Sequence, residues 1–137
     1  MRLIISIILL IICSCSNKPD FSAEKQEWYN EANERGCLVF PTKLYFADLK
    51  GEAVGYCVPR FGILIDIDSW NKFGPLQRKE LVFHELGHCV LSLEHSELGL
   101  MAPNMHSEEE LDMMWPKYLN LLFKGCLSLG DLIKDKQ

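Results

Sequence analysis

Two histidines four residues apart, His84 and His88, with Glu85 beside the first, constrain this chain more than any other feature. On an α-helix, side chains four positions apart point in nearly the same direction, so both imidazoles leave one face and can share one ion. The neighbouring residues read as such a helix. Leu76, Leu81, Val82, Leu86, Val90 and Leu91 recur near helical spacing, Pro75 suits the first helical position, and no alternating pattern competes. Zinc takes nitrogen ligands at about 2.0–2.1 Å, which the pairing permits. Glu85 lies one position round the helix, where a carboxylate reaches a water beside the metal without ligating the metal. Zinc lowers the pKa of that water, the carboxylate takes its proton, and the proton is later returned to the leaving amine. The pattern predicts a zinc-dependent metallopeptidase hydrolysing peptide bonds, with one Zn2+, ligands His84 and His88, and Glu85 as catalytic base.

Zinc needs a third protein ligand. The run His84-Glu85-Leu86-Gly87-His88-Cys89-Val90-Leu91-Ser92-Leu93-Glu94-His95, followed by Leu100-Met101-Ala102-Pro103, resembles the metzincin metallopeptidases, especially the matrix metalloproteinase branch. That family reads H-E-x-x-H-x-x-G-x-x-H and then a methionine turn. The resemblance covers about twenty residues and implies His95 as third ligand, with Met101 of the Met-turn as the hydrophobic floor beneath the metal. Two departures stand out: His95 comes one residue late, and Leu91 replaces the glycine at which the family's helix turns. A straight helix would carry His95 about 10 Å beyond His88 at 1.5 Å per residue, too far for one ion. The helix is therefore expected to stop near 91–93, with Ser92 taking an unusual backbone angle. A second option for the ligand is Glu108, since Glu108-x-x-x-Asp112 resembles the glutamate motif of thermolysin-like gluzincins. The simpler reading of Glu108 is an acidic residue favouring a helix N-terminus. His106 reads as a loop residue, and Glu94 as a solvated side chain able to orient a ligand from behind.

The remaining elements predict a small α+β domain. A helix opens at Ser22 as N-cap, presents Trp28, Ala32 and Tyr29, and ends at Gly36. Three strand-like runs follow, at 43–47, 53–58 and 62–67, with close spacing favouring an antiparallel hairpin for the first two. Residues 66–70 leave the sheet. A loop over 92–106 carries the metal turn, and Ser107 with Glu110 reads as a capping box for a C-terminal helix. Pro116 is expected to kink or restart that helix, Gly125 to end it, and 127–134 to add a last turn. The sheet is thus expected to hold three or four strands. The resemblance implies a substrate extended along an edge strand, with 53–58 and 62–67 as the two possibilities.

The N-terminus reads as an export signal. Arg2 precedes an apolar run from Leu3 to Ile12, too short to span a bilayer comfortably. The following Ile12-Cys13-Ser14-Cys15-Ser16 resembles a bacterial lipobox, the other reading being an ordinary secretory signal. Ser14 before Cys15 implies cleavage after residue 14 and lipidation (palmitate) of Cys15. The division is then 1–14 signal peptide, 15–21 tether and 22–137 metallopeptidase domain. Such a lipoprotein sits in the bacterial cell envelope, and Ser16 favours the outer membrane, by analogy with Gram-negative lipoproteins. Four further cysteines, Cys37, Cys57, Cys89 and Cys126, predict two disulfides in an oxidising compartment. Joining neighbouring elements favours Cys37–Cys57 and Cys89–Cys126, against four buried thiols as the alternative. The 14 basic and 19 acidic residues, net −5, give no basic stripe, so nucleic acid is not an expected partner. The expected partners are a peptide or protein substrate and a membrane. The rival from another class is a non-catalytic envelope lipoprotein with a structural or vestigial zinc site.

Overall fold

The computed structural model describes residues 19–51 and 53–126. The signal segment, Cys15, most of the tether and the expected last turn at 127–134 lie outside the described residues. The domain is mixed α+β, with four α-helices and one three-stranded sheet among the described residues.

Helix α1 (Ser22–Glu34) buries Trp28 and Ala32 completely, with Tyr29 partly buried beside them. Ser22 is the first helical residue rather than the cap: Phe21 holds that position, and the Ser22 hydroxyl donates to Asp20 instead. The strands are β1 (Leu44–Ala47), β2 (Gly55–Val58) and β3 (Gly62–Asp66).

The sheet corrects the expected hairpin. Its order is β1-β3-β2, with β1 parallel to β3 and β2 antiparallel to β3. Ile63 and Ile65 on β3 are fully buried, so this strand takes the centre, where both its edges are paired. Pro59 and Arg60 do not merely break a strand. They form the β2–β3 turn, closed by the Phe61 N–H donating to Val58 O at 3.0 Å, with Arg60 in the left-handed region at φ 67°. β3 is therefore excluded as an edge, and β2 is an edge strand.

Asp66 ends β3 and caps a short helix, α2 (Ile67–Lys72), where the sequence pattern indicates only an exit from the sheet. Its carboxylate accepts from the Ser69 N–H and hydroxyl and from the Leu49 N–H, at 2.7–3.0 Å. Helix α3 (Pro75–Leu91) packs across the sheet, α1 and α4 (Glu108–Leu122) through Leu81, Phe83 and Leu86, all fully buried. Helix α4 runs unbroken through Pro116. Half of its expected capping box forms. The Ser107 hydroxyl accepts from the Glu110 N–H, while the Glu110 carboxylate turns away to accept from the Tyr118 hydroxyl.

Two disulfides form, but the pairing differs from the expected one among the three that four cysteines allow: Cys37–Cys126 and Cys57–Cys89. The first ties the end of α1 to the end of α4. The second ties β2 to α3. Each spans a fold contact between elements distant in sequence, by 89 and 32 residues, which neighbour-to-neighbour reasoning does not reach.

Candidate metal centre

Helix α3 delivers His84, Glu85 and His88, and its end delivers the return of the chain. The helix stops at Leu91, and Ser92 adopts the left-handed conformation, φ 55° and ψ 33°. The N–H groups of Ser92 and Leu93 both donate to Gly87 O, closing the turn. Ser92 thus does the work of the missing glycine, and the extra residue before His95 is absorbed there. The chain then doubles back, held by the Ser96 N–H donating to Met101 O at 2.9 Å.

As a result the three imidazoles meet. His84 Nε2 lies 3.0 Å from His88 Nε2 and 3.3 Å from His95 Nε2, and ligand atoms from all three lie within 4.8 Å of one another. The opposite ring nitrogens explain which atoms are free. His84 Nδ1 faces the Leu100 carbonyl at 2.7 Å, and His88 Nδ1 faces the Leu93 carbonyl at 2.6 Å. A carbonyl only accepts, so both Nδ1 atoms carry the proton and both Nε2 atoms keep a lone pair. Lone pairs pressed together at 3 Å repel unless a cation sits among them. Burial, reinforced by the neighbouring His88 and His95, pushes His84 down to about 4, against the opposing Leu100 hydrogen bond, so the imidazole is neutral and able to ligate. The donor set fits a metal ion.

Glu85 is buried next to this cluster, and its Oε2 has no hydrogen-bond partner. Burial pushes its carboxyl up to about 7. Gly55 on β2 lies against it: a Cβ at that position would come within 3.1 Å of Glu85 Oε1. Met101 is buried in the short 3-10 turn Gly99–Met101 behind the ligand helix. Gly87, within the histidine motif, is small because Met101 crosses it, its sulfur 2.6 Å from where a Cβ would stand. Neither glycine contact is visible in the sequence as more than a small residue.

The cluster opens into a cleft of about 670 Å³. One wall is the edge strand and its approach, Ala53–Cys57. The other is Ala102–Met105, with Leu81 at the base. The second wall is pinned by a pair that sequence reading missed. The buried Glu80 carboxylate accepts from the His106 N–H at 3.1 Å and pairs with His106 Nδ1, while Gln77 Nε2 donates to His106 O. His106 is a loop residue, as expected, and stands apart from the metal cluster.

Glu108 is also elsewhere. Its carboxylate accepts from the N–H groups of Leu76 and Gln77, capping α3 where Gly74 has no side chain to do so. That occupation removes the case for Glu108 as a ligand. Glu94 is exposed. Comparison of the chain with protein-family models, with curated proteins and with solved structures finds no match.

Proposed function

We propose that this chain is a zinc metalloendopeptidase of metzincin-like fold, hydrolysing peptide bonds. The observation that carries this reading is the convergence of three imidazole Nε2 atoms beside a buried carboxylate with a free oxygen, at the bottom of an open cleft. Three imidazole nitrogens suit zinc. His84, His88 and His95 would hold the zinc, which when bound would supply Lewis acidity toward a carbonyl and toward water.

The chain's own residues supply the rest. The Leu100 and Leu93 carbonyls fix the ligand tautomers, so the lone pairs already face the ion. The Glu85 carboxylate accepts the proton of the attacking water and hands it to the leaving nitrogen. The poor solvation of this carboxylate keeps it a competent base and then a competent acid. The free edge of β2 pairs with an extended peptide through main-chain hydrogen bonds, which holds the scissile bond over the cluster with little demand on sequence.

A structural or vestigial site is the other reading. Structural zinc sites close with four protein ligands, whereas the only such cluster among the described residues has three and leaves a position open to the cleft. Export and lipid anchoring at Cys15 in a bacterial envelope are part of the proposal, supported by two disulfides, which persist in oxidising compartments.

The test compares the parent chain with Glu85→Gln for metal content and for cleavage of a broad peptide library. The variant should hold its metal and lose at least about 100-fold in rate. Metal retained by both, with no cleavage by either, would assign the site to the non-catalytic reading.

A further inference from the structure

Next to the cleft lies a face that the proposed hydrolysis does not use. A hollow of about 530 Å³ shares Cys57 with the cleft and is lined by Tyr45, Arg60 and Phe61. A further one of about 390 Å³ shares Lys43 and Tyr45 with it and reaches Phe21 and Lys25 on α1. Tyr45 and Phe61 stack at 5.1 Å between ring centroids yet remain exposed, Phe61 by 55%. Phe40, immediately before this face, is 77% exposed. No carboxylate lines either hollow, and Lys25, Lys43 and Arg60 are in no ion pair among the described residues. In a chain with 19 acidic and 14 basic residues, this face runs against the overall balance.

We infer that this face rests on an anionic lipid bilayer, with Phe40, Tyr45 and Phe61 in the headgroup region and Lys25, Lys43 and Arg60 on the lipid phosphates. Aromatic rings interleaved with long cationic side chains suit that boundary, because the rings tolerate partial wetting and the stems cover apolar surface while the charges reach out. The route of the chain argues for the bilayer over another partner. This inference rests on the proposed acylation of Cys15: only five residues separate Cys15 from Phe21, which lines the face, and six peptide steps span at most roughly 20 Å. A basic patch adds to the hold of a lipid anchor, each cation adding about fivefold to membrane affinity. Because Cys57 lines both the cleft and this face, the cleft then opens beside the membrane, and substrates are peptides close to the bilayer.

The test uses the mature chain from residue 15 onward carrying Cys15→Ser, so that no acyl chain holds it. It is sedimented with vesicles of phosphatidylethanolamine and phosphatidylglycerol and, in parallel, of phosphatidylcholine alone. Binding to the anionic vesicles is expected, weakened about tenfold or more by Lys43→Glu with Arg60→Glu and, separately, by Phe40→Ser with Phe61→Ser. All four positions are exposed, and circular dichroism checks that each variant is folded. Absence of binding, or binding indifferent to both pairs of changes, would overturn the inference. So would binding to dextran sulfate as tight as to the vesicles and indifferent to the aromatic changes, since the face would then be a polyanion site. Labelled palmitate on the unmutated chain reads the anchor separately: failure to label removes the acylation reading and leaves the vesicle result standing.

Discussion

Glu80 and His84 stand one turn apart on α3, and each holds one end of the same loop. His84 Nδ1 donates to Leu100 O at 2.7 Å, and Glu80 accepts from the His106 N–H at 3.1 Å. Ala102–Met105, between those two ties, line the cleft. The helix that carries the ligands is therefore cross-linked to the wall facing the edge strand, so the cleft's shape depends on residues outside the metal cluster.

Removing the Glu80 carboxylate leaves the His106 N–H and Nδ1 without their acceptor, while Gln77 still donates to His106 O. Glu80→Ala should cost about 2–4 kcal/mol, because it leaves buried polar groups unpaired. Urea denaturation measures this. Glu80→Gln, which keeps an acceptor for the His106 N–H, should recover about half of the loss.

The same carboxylate gives a pH signature. Burial raises the Glu80 carboxyl above its ordinary value, outweighing the opposing hydrogen bond and charge of His106. A raised folded pKa means that Glu80's contribution is complete below its unfolded pKa, about 4.3, and is lost as pH rises through the folded value. The stability of the parent relative to Glu80→Gln should therefore fall as pH rises above about 4. A gap that widens in the parent's favour over that range would contradict the assignment.

Asp66 behaves in the opposite sense. The Ser69 hydroxyl, then the Leu49 and Ser69 N–H groups, hold its carboxyl below the usual range. Its contribution is present above about pH 4 and is lost as pH falls through the lowered value. The stability advantage of the parent over Asp66→Asn should shrink on acidification below that pH, as read by denaturant midpoints.

Much of this was legible in the sequence, and the parts that were not share a physical cause. The ligand helix announces itself through local periodicity, and the turn at Ser92 follows from the distance that His95 must recover. Strand order does not. The spacing of β1 and β2 suits a hairpin, and what overrides it is the burial of Ile63 and Ile65, a property of the assembled core. The disulfides fail for the same reason, since Cys37 meets Cys126 only once α1 and α4 are packed. Glu80 and His106 are 26 residues apart; His106 reads as a loop imidazole, and nothing local marks Glu80 as its partner. Glu108 shows the limit of motif matching: the acidic spacing was visible, and its use as a cap for α3 depends on where α4 begins.

Two substitutions separate ligand from cap. Glu108→Ala should lower stability by about 1 kcal/mol through the lost cap of α3 and leave metal stoichiometry unchanged. His95→Ala should weaken metal affinity by at least about 100-fold, exceeding the loss typical of outer-shell partners. Equilibrium dialysis with inductively coupled plasma detection measures both.

Non-reducing peptide mapping should recover Cys37 joined to Cys126 and Cys57 joined to Cys89. From the loops they close, each bond contributes about 4 kcal/mol. Reduction should lower the unfolding midpoint accordingly, and Cys57→Ser with Cys89→Ser should loosen β2 from α3.

X-ray absorption at the zinc edge, on the purified chain loaded with zinc, reads the ligand set itself. Three imidazole nitrogens at about 2.0–2.1 Å and one exchangeable oxygen are expected, falling to two imidazoles in His95→Ala. A sulfur shell, a fourth imidazole, or a spectrum unchanged by His95→Ala would contradict a three-histidine centre open to the cleft.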